Sequence, residues 1–323
     1  MKITILTYLD PDEDAPDVVV GQVRAALEGL GHEVSILGIH SDVQALIGGL
    51  AERAPELVFN LVEMWGDDVC GDVPVIGLLE LLGYRHTGGG PGEMYLAQDK
   101  ALAKKILAYE GILYPRFAVF TSGSDFETGG NLKLPLFVKP LRMDASIGID
   151  GKALVTDLAQ LLQRVTMIQG ELGDAALAEE YIDGREFAVG VVGNKAPLAL
   201  PPIEIDFTGF PEGKPRILDS RAKWEEGTAE FKGTRSIIPE LPDELRARLH
   251  KVSLDAYRAL RVKDYGRVDL RLTPTGDIYV LEVNASCYLE ATSDLAFAAA
   301  HAGISHDELI GKIVAASLER YER

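Results

Sequence analysis

Apolar and polar positions along the chain alternate between two periods, and the switches mark out its elements. KITILTY (2–8), HEVSILGI and ELVFNLVE are apolar runs of strand length. Between them, residues 18–30 and SDVQALIGGLAERA repeat apolar side chains at helical spacing, and Gly31 stops the first of these helices. Strands alternating with helices predict an open parallel sheet covered on both faces. VPVIGLLELLGY continues as a helix, and RHTGGGPG closes this unit near residue 92.

Beyond that point the pattern becomes mixed. A helix is expected over about 97–111, strands over 117–120 and 136–140, and a helix over 157–169. LAEEYIDGREFAVGVVG reads as a strand, a turn at Asp183-Gly184 and another strand. Strands over 184–193 and 198–205 follow, then an irregular stretch over 207–236 and the amphipathic helix LPDELRARLHKVSLDAYRALRV. Terminal helices are expected over 291–302 and 305–322. The expected units are 1–95, 96–182 and 183–323.

The most informative pattern is YGRVDLRLTPTGDIYVLEVN, two alternating strands joined by a turn. Arg267, Asp269 and Arg271 share one face of the first strand, and Val268, Leu270 and Leu272 the other. If Thr273-Pro274-Thr275-Gly276 closes the hairpin, Leu272 faces Asp277 and Arg267 faces Glu282. Asp269 is then diagonal to Glu282, with Asn284 one step further along that face. Two carboxylates about 4 Å apart repel by roughly 4 kcal/mol at an effective dielectric near 20. A divalent cation relieves that repulsion, and an Asp/Glu/Asn oxygen set suits Mg²⁺ shared with a nucleotide's phosphates. The plain alternative is an exposed hairpin whose acids pair with Arg267 and Arg271.

Composition narrows the classes. With 323 residues, 47% hydrophobic and 25% charged, the chain is long enough for two or three globular units. A formal charge of −18 argues against nucleic-acid or anionic-membrane partners, although a nucleotide needs only a few placed cations. Cys70 and Cys287 are too few for a disulfide framework, no apolar run reaches membrane-spanning length, and no basic-apolar leader opens the chain. A cytoplasmic protein is the expectation.

Single features elsewhere are weak. Gly88-Gly89-Gly90-Pro91-Gly92 lacks the spacing and lysine of a phosphate loop and reads as a flexible exit between units. The acidic loop 10–17 reads as solvated, although it could hold a substrate amine. Lys100 stands in a first helical turn, and Lys139 ends the strand PLFVKP. LRMDASIG offers backbone N–H groups at Ser146 and Gly148 that could cover phosphates. His86, His301 and His306 stand apart as structural or surface groups, and Cys287 as a small buried residue. Trp65 and Trp224 could pack a substrate or lid, Trp224 the better placed beside Lys223.

In order, DKALAKKILAYEGI, LFVKP, LAEEYIDGREFAVGVV, AKW and YGRVDLRL…YVLEVN resemble the ATP-grasp superfamily, and within it the D-alanine–D-alanine ligases and related dipeptide ligases. The resemblance covers most of residues 55–284. It implies an α/β ATP-grasp fold: a Rossmann-like preATP-grasp sheet followed by two α+β lobes that enclose ATP. It also implies that Lys100, Lys139 and Lys223 contact phosphates and that Glu179, Glu180, Tyr181 and Ile182 form the interlobe segment at the adenine edge. Glu186 would hold the ribose, and Ser146 would belong to the phosphate-covering loop. Asp269, Glu282 and Asn284 would hold two Mg²⁺ ions, with Mn²⁺ a substitute, and Arg267 would stabilise a tetrahedral intermediate. The implied reaction joins an amino-acid-like carboxylate and amine through an acyl phosphate. A homodimer built through the N-terminal lobe is implied as well.

Departures fall on the substrate side. YLDPDEDAPDVVV replaces a glycine-rich segment, and FNLVEMWGDDVCGD puts Glu63 at or near a histidine position. Ala145-Ser146 stands where two serines are usual, and NASCYLEATSDL puts Tyr288 where a glycine lines the second amino-acid pocket. Ser293 still aligns with a substrate-carboxylate contact. D-alanyl-D-alanine is therefore not the expected product. A different nucleophile or acid, or a nucleotide-binding protein without turnover, stays open.

Overall fold

The computed structural model describes all residues except 11–15, 124, 125, 129, 130, 145, 212, 214, 215 and 323, and leaves the side chains of 126, 127 and 224 undescribed. The chain begins with β1 (Lys2–Tyr8), α1 (Val18–Gly29), β2 (Glu33–Ile39), α2 (Val43–Arg53), β3 (Leu57–Leu61) and α3 (Asp72–Leu81). These strands form a parallel sheet of order β2-β1-β3. Asp17 and Asp42 cap α1 and α2 by accepting from the first-turn amides, as helix starts require.

Two helices then replace the single one expected over 97–111: α4 (Pro91–Gln98) and α5 (Lys100–Tyr109). Asp99 separates them because its extended backbone ends one helix while its carboxylate caps the next through the Leu102 amide. The glycine run before α4 is not a loose exit. Gly88 N–H donates to Asp264 and its carbonyl accepts from Arg320.

The second sheet collects β4 (Phe117–Phe120), β5 (Phe126–Thr128), β6 (Leu136–Pro140), β7 (Leu154–Val155) and β8 (Ala176–Glu180) in the order β5-β4-β8-β6-β7. One face packs on α6 (Leu158–Met167) through Val138, Leu161, Val165 and Ala178. The turn at Asp183-Gly184 joins β8 to β9 (Arg185–Val192), but the two strands do not pair: β9 belongs to the third sheet. That sheet adds β10 (Leu198–Ala199) and β11 (Ile203–Asp206). The short helices α7 (Ser220–Trp224) and α8 (Ala229–Lys232) lie inside the stretch expected to be irregular. The strand β12 (Arg235–Ile237), the helix α9 (Asp243–Ala259), the hairpin β13 (Tyr265–Leu272) and β14 (Ile278–Asn284), and the helices α10 (Asp294–His301) and α11 (His306–Tyr321) complete the chain. The third sheet runs β12-β11-β9-β13-β14, with β10 on β9, and buries Val189, Val191, Val268, Leu270, Val280 and Val283 against α9 and its neighbours.

The hairpin register differs from the count made on the sequence. Leu272 pairs with Ile278, so the loop is five residues long, and a bulge after Asp269 makes Leu281 the extra residue. Asp269 is therefore directly opposite Glu282, and Arg267 opposite Asn284. The two acids converge more closely than a diagonal would allow. No helix among the described residues is long and apolar enough to cross a membrane.

Candidate active site

The polar faces of the second and third sheets enclose one cavity of about 160 Å³. Strand alternation sends Leu136 and Val138 of β6 into the core, which turns Phe137 and Lys139 towards the cavity. Phe137 pairs with Glu179 of β8, so that acid lies on the same face. From the third sheet come Arg267, Asp269, Arg271, Leu281, Glu282 and Asn284, while Glu186 sits opposite Arg271. Lys100 enters from the start of α5, Lys223 from α7, and Ser146 from the loop before β7. Glu180, Tyr181 and Ile182 line the segment that crosses between the sheets.

Charges in this cavity interlock. Lys139 lies 3.4 Å from both Glu179 and Glu282, and Lys104 lies 2.7 Å from Glu179. Lys104 also donates to the Leu281 carbonyl at the bulge, 2.7 Å away. Burial alone would lower the Lys139 pKa, but Glu179 and Glu282 hold it above the usual lysine range. Burial would likewise raise Glu282, yet Lys100 and Lys139 pull it down to about 2. Lys100 donates to Asp144 at 2.8 Å and to the Met143 carbonyl at 2.9 Å. Burial and Arg267 lower the Lys223 pKa, against the pull of Asp269 and Glu282.

At the hairpin, Arg267 grips Asp269 with two bonds of 2.7 and 2.8 Å, and Asn284 donates to the same carboxylate at 3.0 Å. The Asn284 amide nitrogen faces Asp269, which leaves its oxygen as an acceptor directed elsewhere. Ser146 adopts φ 62° and its hydroxyl donates to the Leu218 carbonyl at 3.3 Å, fastening its loop to the stretch that carries Lys223. Ala145 beside it, like residues 11–15 of the acidic loop, lies outside the described residues.

The Glu179 carboxylate lines the cavity, buried between Lys104 and Lys139, which hold its pKa down against burial. The predicted substrate residues Tyr288, Ser293 and Glu63 stand outside the cavity lining. Tyr288 donates to Asp17 at 2.6 Å, tying the loop after β14 to the start of α1. Ser293 caps α10 by accepting from the Ala296 amide at 3.5 Å. Burial, then Asp17 and Asp144, raise the Glu63 pKa. Cys287 is buried, and burial pushes its thiol up to about 12, which suits a packing residue rather than a nucleophile. His86 is fully buried and His301 is exposed.

Two residues without a predicted role belong to this site. Lys104 sits one helical turn after Lys100 on the same face, a spacing visible in the sequence. Arg271 shares the strand face of Arg267 and Asp269.

Residues 106–315 match the family described as the C-terminus of D-Ala–D-Ala ligase. The D-alanine–D-alanine ligase of Oleidesulfovibrio alaskensis is 33% identical over 295 residues, covering 90% of this chain and 88% of that protein. The chain belongs to the D-alanine–D-alanine ligase family. The uncharacterised protein y4sG of Sinorhizobium fredii is 33% identical over 322 residues, covering 97% of this chain and 92% of its own. The D-alanine–D-alanine ligase of Bacillus anthracis, complexed with ATP, superposes with a TM-score of 0.78 at 27% identity, over 99% of this chain and 98% of that one. As a D-alanine–D-alanine ligase family member, this protein has the ATP-grasp fold and is an ATP-dependent ligase that forms C–N bonds.

Proposed function

We propose that the protein joins an amino-acid-like carboxylate to an amino-acid-like amine, releasing ADP and phosphate, and that the pair is not two D-alanines. The observation that carries this is the cavity in which Lys100, Lys139 and Lys223 face Asp269 and Glu282 across two sheets. The substrate carboxylate attacks the γ-phosphate of ATP to give an acyl phosphate and ADP. The amine then displaces phosphate and the amide forms. Catalysis of this kind is placement plus charge neutralisation. Lys100, Lys139 and Lys223 meet the phosphates, Ser146 and its loop cover them, and Arg267 stabilises the tetrahedral oxygen. Glu186 holds the ribose, with Glu180, Tyr181 and Ile182 at the base.

The donor set fits Mg²⁺. Asp269 and Glu282 are directly paired, keep 22% and 21% of their side-chain surface exposed, and Glu282 stays ionised well below neutral pH. Among the described residues no group of three or more His, Cys, Asp or Glu could hold a metal. Two carboxylates and the Asn284 oxygen therefore suit an ion that takes its remaining ligands from phosphate and water. When bound, two such ions would neutralise charge on the transferring phosphoryl group.

The substrate half supports a changed specificity. Tyr288 is held by Asp17, and Glu63 stands near that carboxylate, where the family pattern has a glycine and a histidine. Ser293 remains the proposed carboxylate contact. We also propose units at 1–95, 96–182 and 183–323, a cytoplasmic location, and a homodimer through the N-terminal unit, which light scattering would test.

An assay of ADP release with Mg²⁺ over pooled amino acids, with mass analysis of products, tests the function. Amine-dependent ADP with a new amide is expected, and Asp269→Asn should abolish it while nucleotide still binds. ADP that depends on the acid but yields no amide would mean another nucleophile or none. Nucleotide binding without ADP would mean a silent protein.

A further inference from the structure

Lys104 has no part in the scheme above and does not line the main cavity, yet it ties together three of the elements that build it. It sits on α5 one helical turn after Lys100 and is 1% exposed. Its Nζ lies 2.7 Å from Glu179 of β8 and donates at 2.7 Å to the Leu281 carbonyl of β14. Leu281 is the extra residue of the bulge, opposite no residue of β13. Leu272 pairs with Ile278 and Leu270 with Val280, so an unbroken ladder would set Glu282 opposite Val268. Cross-strand partners share a face, and Val268 is fully buried in the core, so Glu282 would then turn away from the cavity. The extra residue returns Glu282 to the face of Asp269. The acid pair therefore exists because of the bulge.

The carbonyl that Lys104 holds belongs to the peptide unit leading into Glu282. That unit is planar, so gripping its oxygen fixes the direction in which the Glu282 side chain leaves the strand. A methionine at this place on α5 would fill similar space without burying a charge, so packing alone does not call for a lysine. Resting on the nucleotide and metal reading of the cavity, we propose that Lys104 is a positioning residue for the divalent ion. It holds the bulge that sets Glu282 against Asp269, and it touches neither the ion nor the nucleotide. The same ammonium braces one oxygen of Glu179, whose other oxygen lies 3.4 Å from Lys139. One side chain thus fixes α5, β8 and β14 relative to one another.

Calorimetric titration of the full chain with ADP, once with Mg²⁺ and once with EDTA, tests this. The ratio of the two dissociation constants measures the coupling between ion and nucleotide, and in the wild type it should be about tenfold or more. Lys104→Met should reduce that ratio by at least about fivefold. Melting curves check that each variant is folded. Should Lys104→Met not fold, Lys104→Met/Glu179→Gln removes both charges of the buried pair together and should reduce the ratio likewise. Glu179→Gln alone keeps the donor on the Leu281 carbonyl and should keep the ratio, whatever it does to ADP affinity itself. A smaller fall in the variants lacking Lys104 would overturn the proposal, because a mere brace weakens ADP with and without the ion alike. So would an equal fall in Glu179→Gln, which would put control of the ion in that acid and not in the bulge. A wild type that binds ADP without this coupling would instead overturn the metal reading of the cavity, and one that binds no ADP the nucleotide reading.

Discussion

Five charged side chains, Lys100, Lys104, Lys139, Glu179 and Glu282, share the interior beside the cavity, and each is tolerable only because of the others. Burying a lone charge costs several kcal/mol, and breaking a buried pair typically costs about 3–5 kcal/mol because one charge is left uncompensated. Lys104 has its pKa lowered by burial, opposed by Glu179, which places it at the limit of what the pair can hold. Glu282 is the opposite case. Its carboxyl falls from an ordinary 4.5 to about 2, so the folded state binds its proton less tightly than the unfolded chain does. The stability this supplies is complete above pH 4.5 and is lost as pH falls from there towards 2. The difference is worth roughly 3 kcal/mol. Denaturant titrations in the absence of metal should therefore show the wild type losing stability from pH 5 to pH 3 more steeply than Glu282→Gln. Parallel pH profiles would mean that the lysines do not hold that carboxylate. At this scale the sequence alone left Lys139 as a lysine ending an apolar strand, a position that suits solvent as readily as a site, and only the family resemblance gave it a role. Lys104 showed only its spacing from Lys100, which does not reveal burial: a lysine in an amphipathic helix is ordinarily at the surface, and only the fold buries it.

Among the elements, the hairpin β13–β14 shows both what alternation reveals and where counting goes wrong. The site face was legible from Arg267, Asp269 and Arg271, since alternate residues must share a face. The register was not, because the count assumed a four-residue loop and an unbroken ladder. Val280 and Val283, both inward and three residues apart instead of two, carried the sign of the bulge at Leu281. The crossing from β8 to β9 shows a second limit. A strand, a tight turn and a strand look like a hairpin, and only the wider fold assigns the two strands to different sheets. Gly184 makes that crossing possible, with φ 148° and the place of a Cβ only 2.1 Å from the Leu272 carbonyl oxygen. Gly173 also has a positive φ, 68°, but nothing lies within 4 Å. Gly173→Ala should cost about 1 kcal/mol, for the backbone conformation alone. Gly184→Ala adds a collision with backbone that cannot yield, and should cost about 3 kcal/mol or more. Equal melting temperatures for the two variants would show that the crossing adjusts freely.

At the scale of the molecule, the parallel sheet at the N-terminus is held to the sheets that carry the site by a shared apolar core and by a buried ionic knot. Asp264, fully buried, accepts from the Gly88 amide at 2.8 Å, from Asn194 at 2.8 Å and from Arg320 at 3.0 and 2.9 Å. Arg320, near the end of α11, also donates to the carbonyls of His86 and Gly88. Chain segments near residues 86–88, 194, 264 and 320 thus meet at one carboxylate. Nothing local in the sequence announced this, because an ionic knot among four distant segments has no period. Arg320→Met should leave Asp264 charged and unpaired inside the protein and cost about 3–5 kcal/mol at pH 8, against at most about 1 kcal/mol for a surface pair. The pH dependence carries a definite sign. Burial already raises the Asp264 pKa, with Arg320 opposing that rise, so removing Arg320 raises it further. A group whose folded pKa is raised favours the folded state when protonated, and its penalty grows as pH climbs from the unfolded value through the folded one. The deficit of Arg320→Met should therefore be smaller at pH 5 than at pH 8, and adding Asp264→Asn should recover part of it at pH 8. A deficit that is small, or that grows on acidification, would mean that the knot is solvated and that the N-terminal sheet is held by its apolar contacts alone.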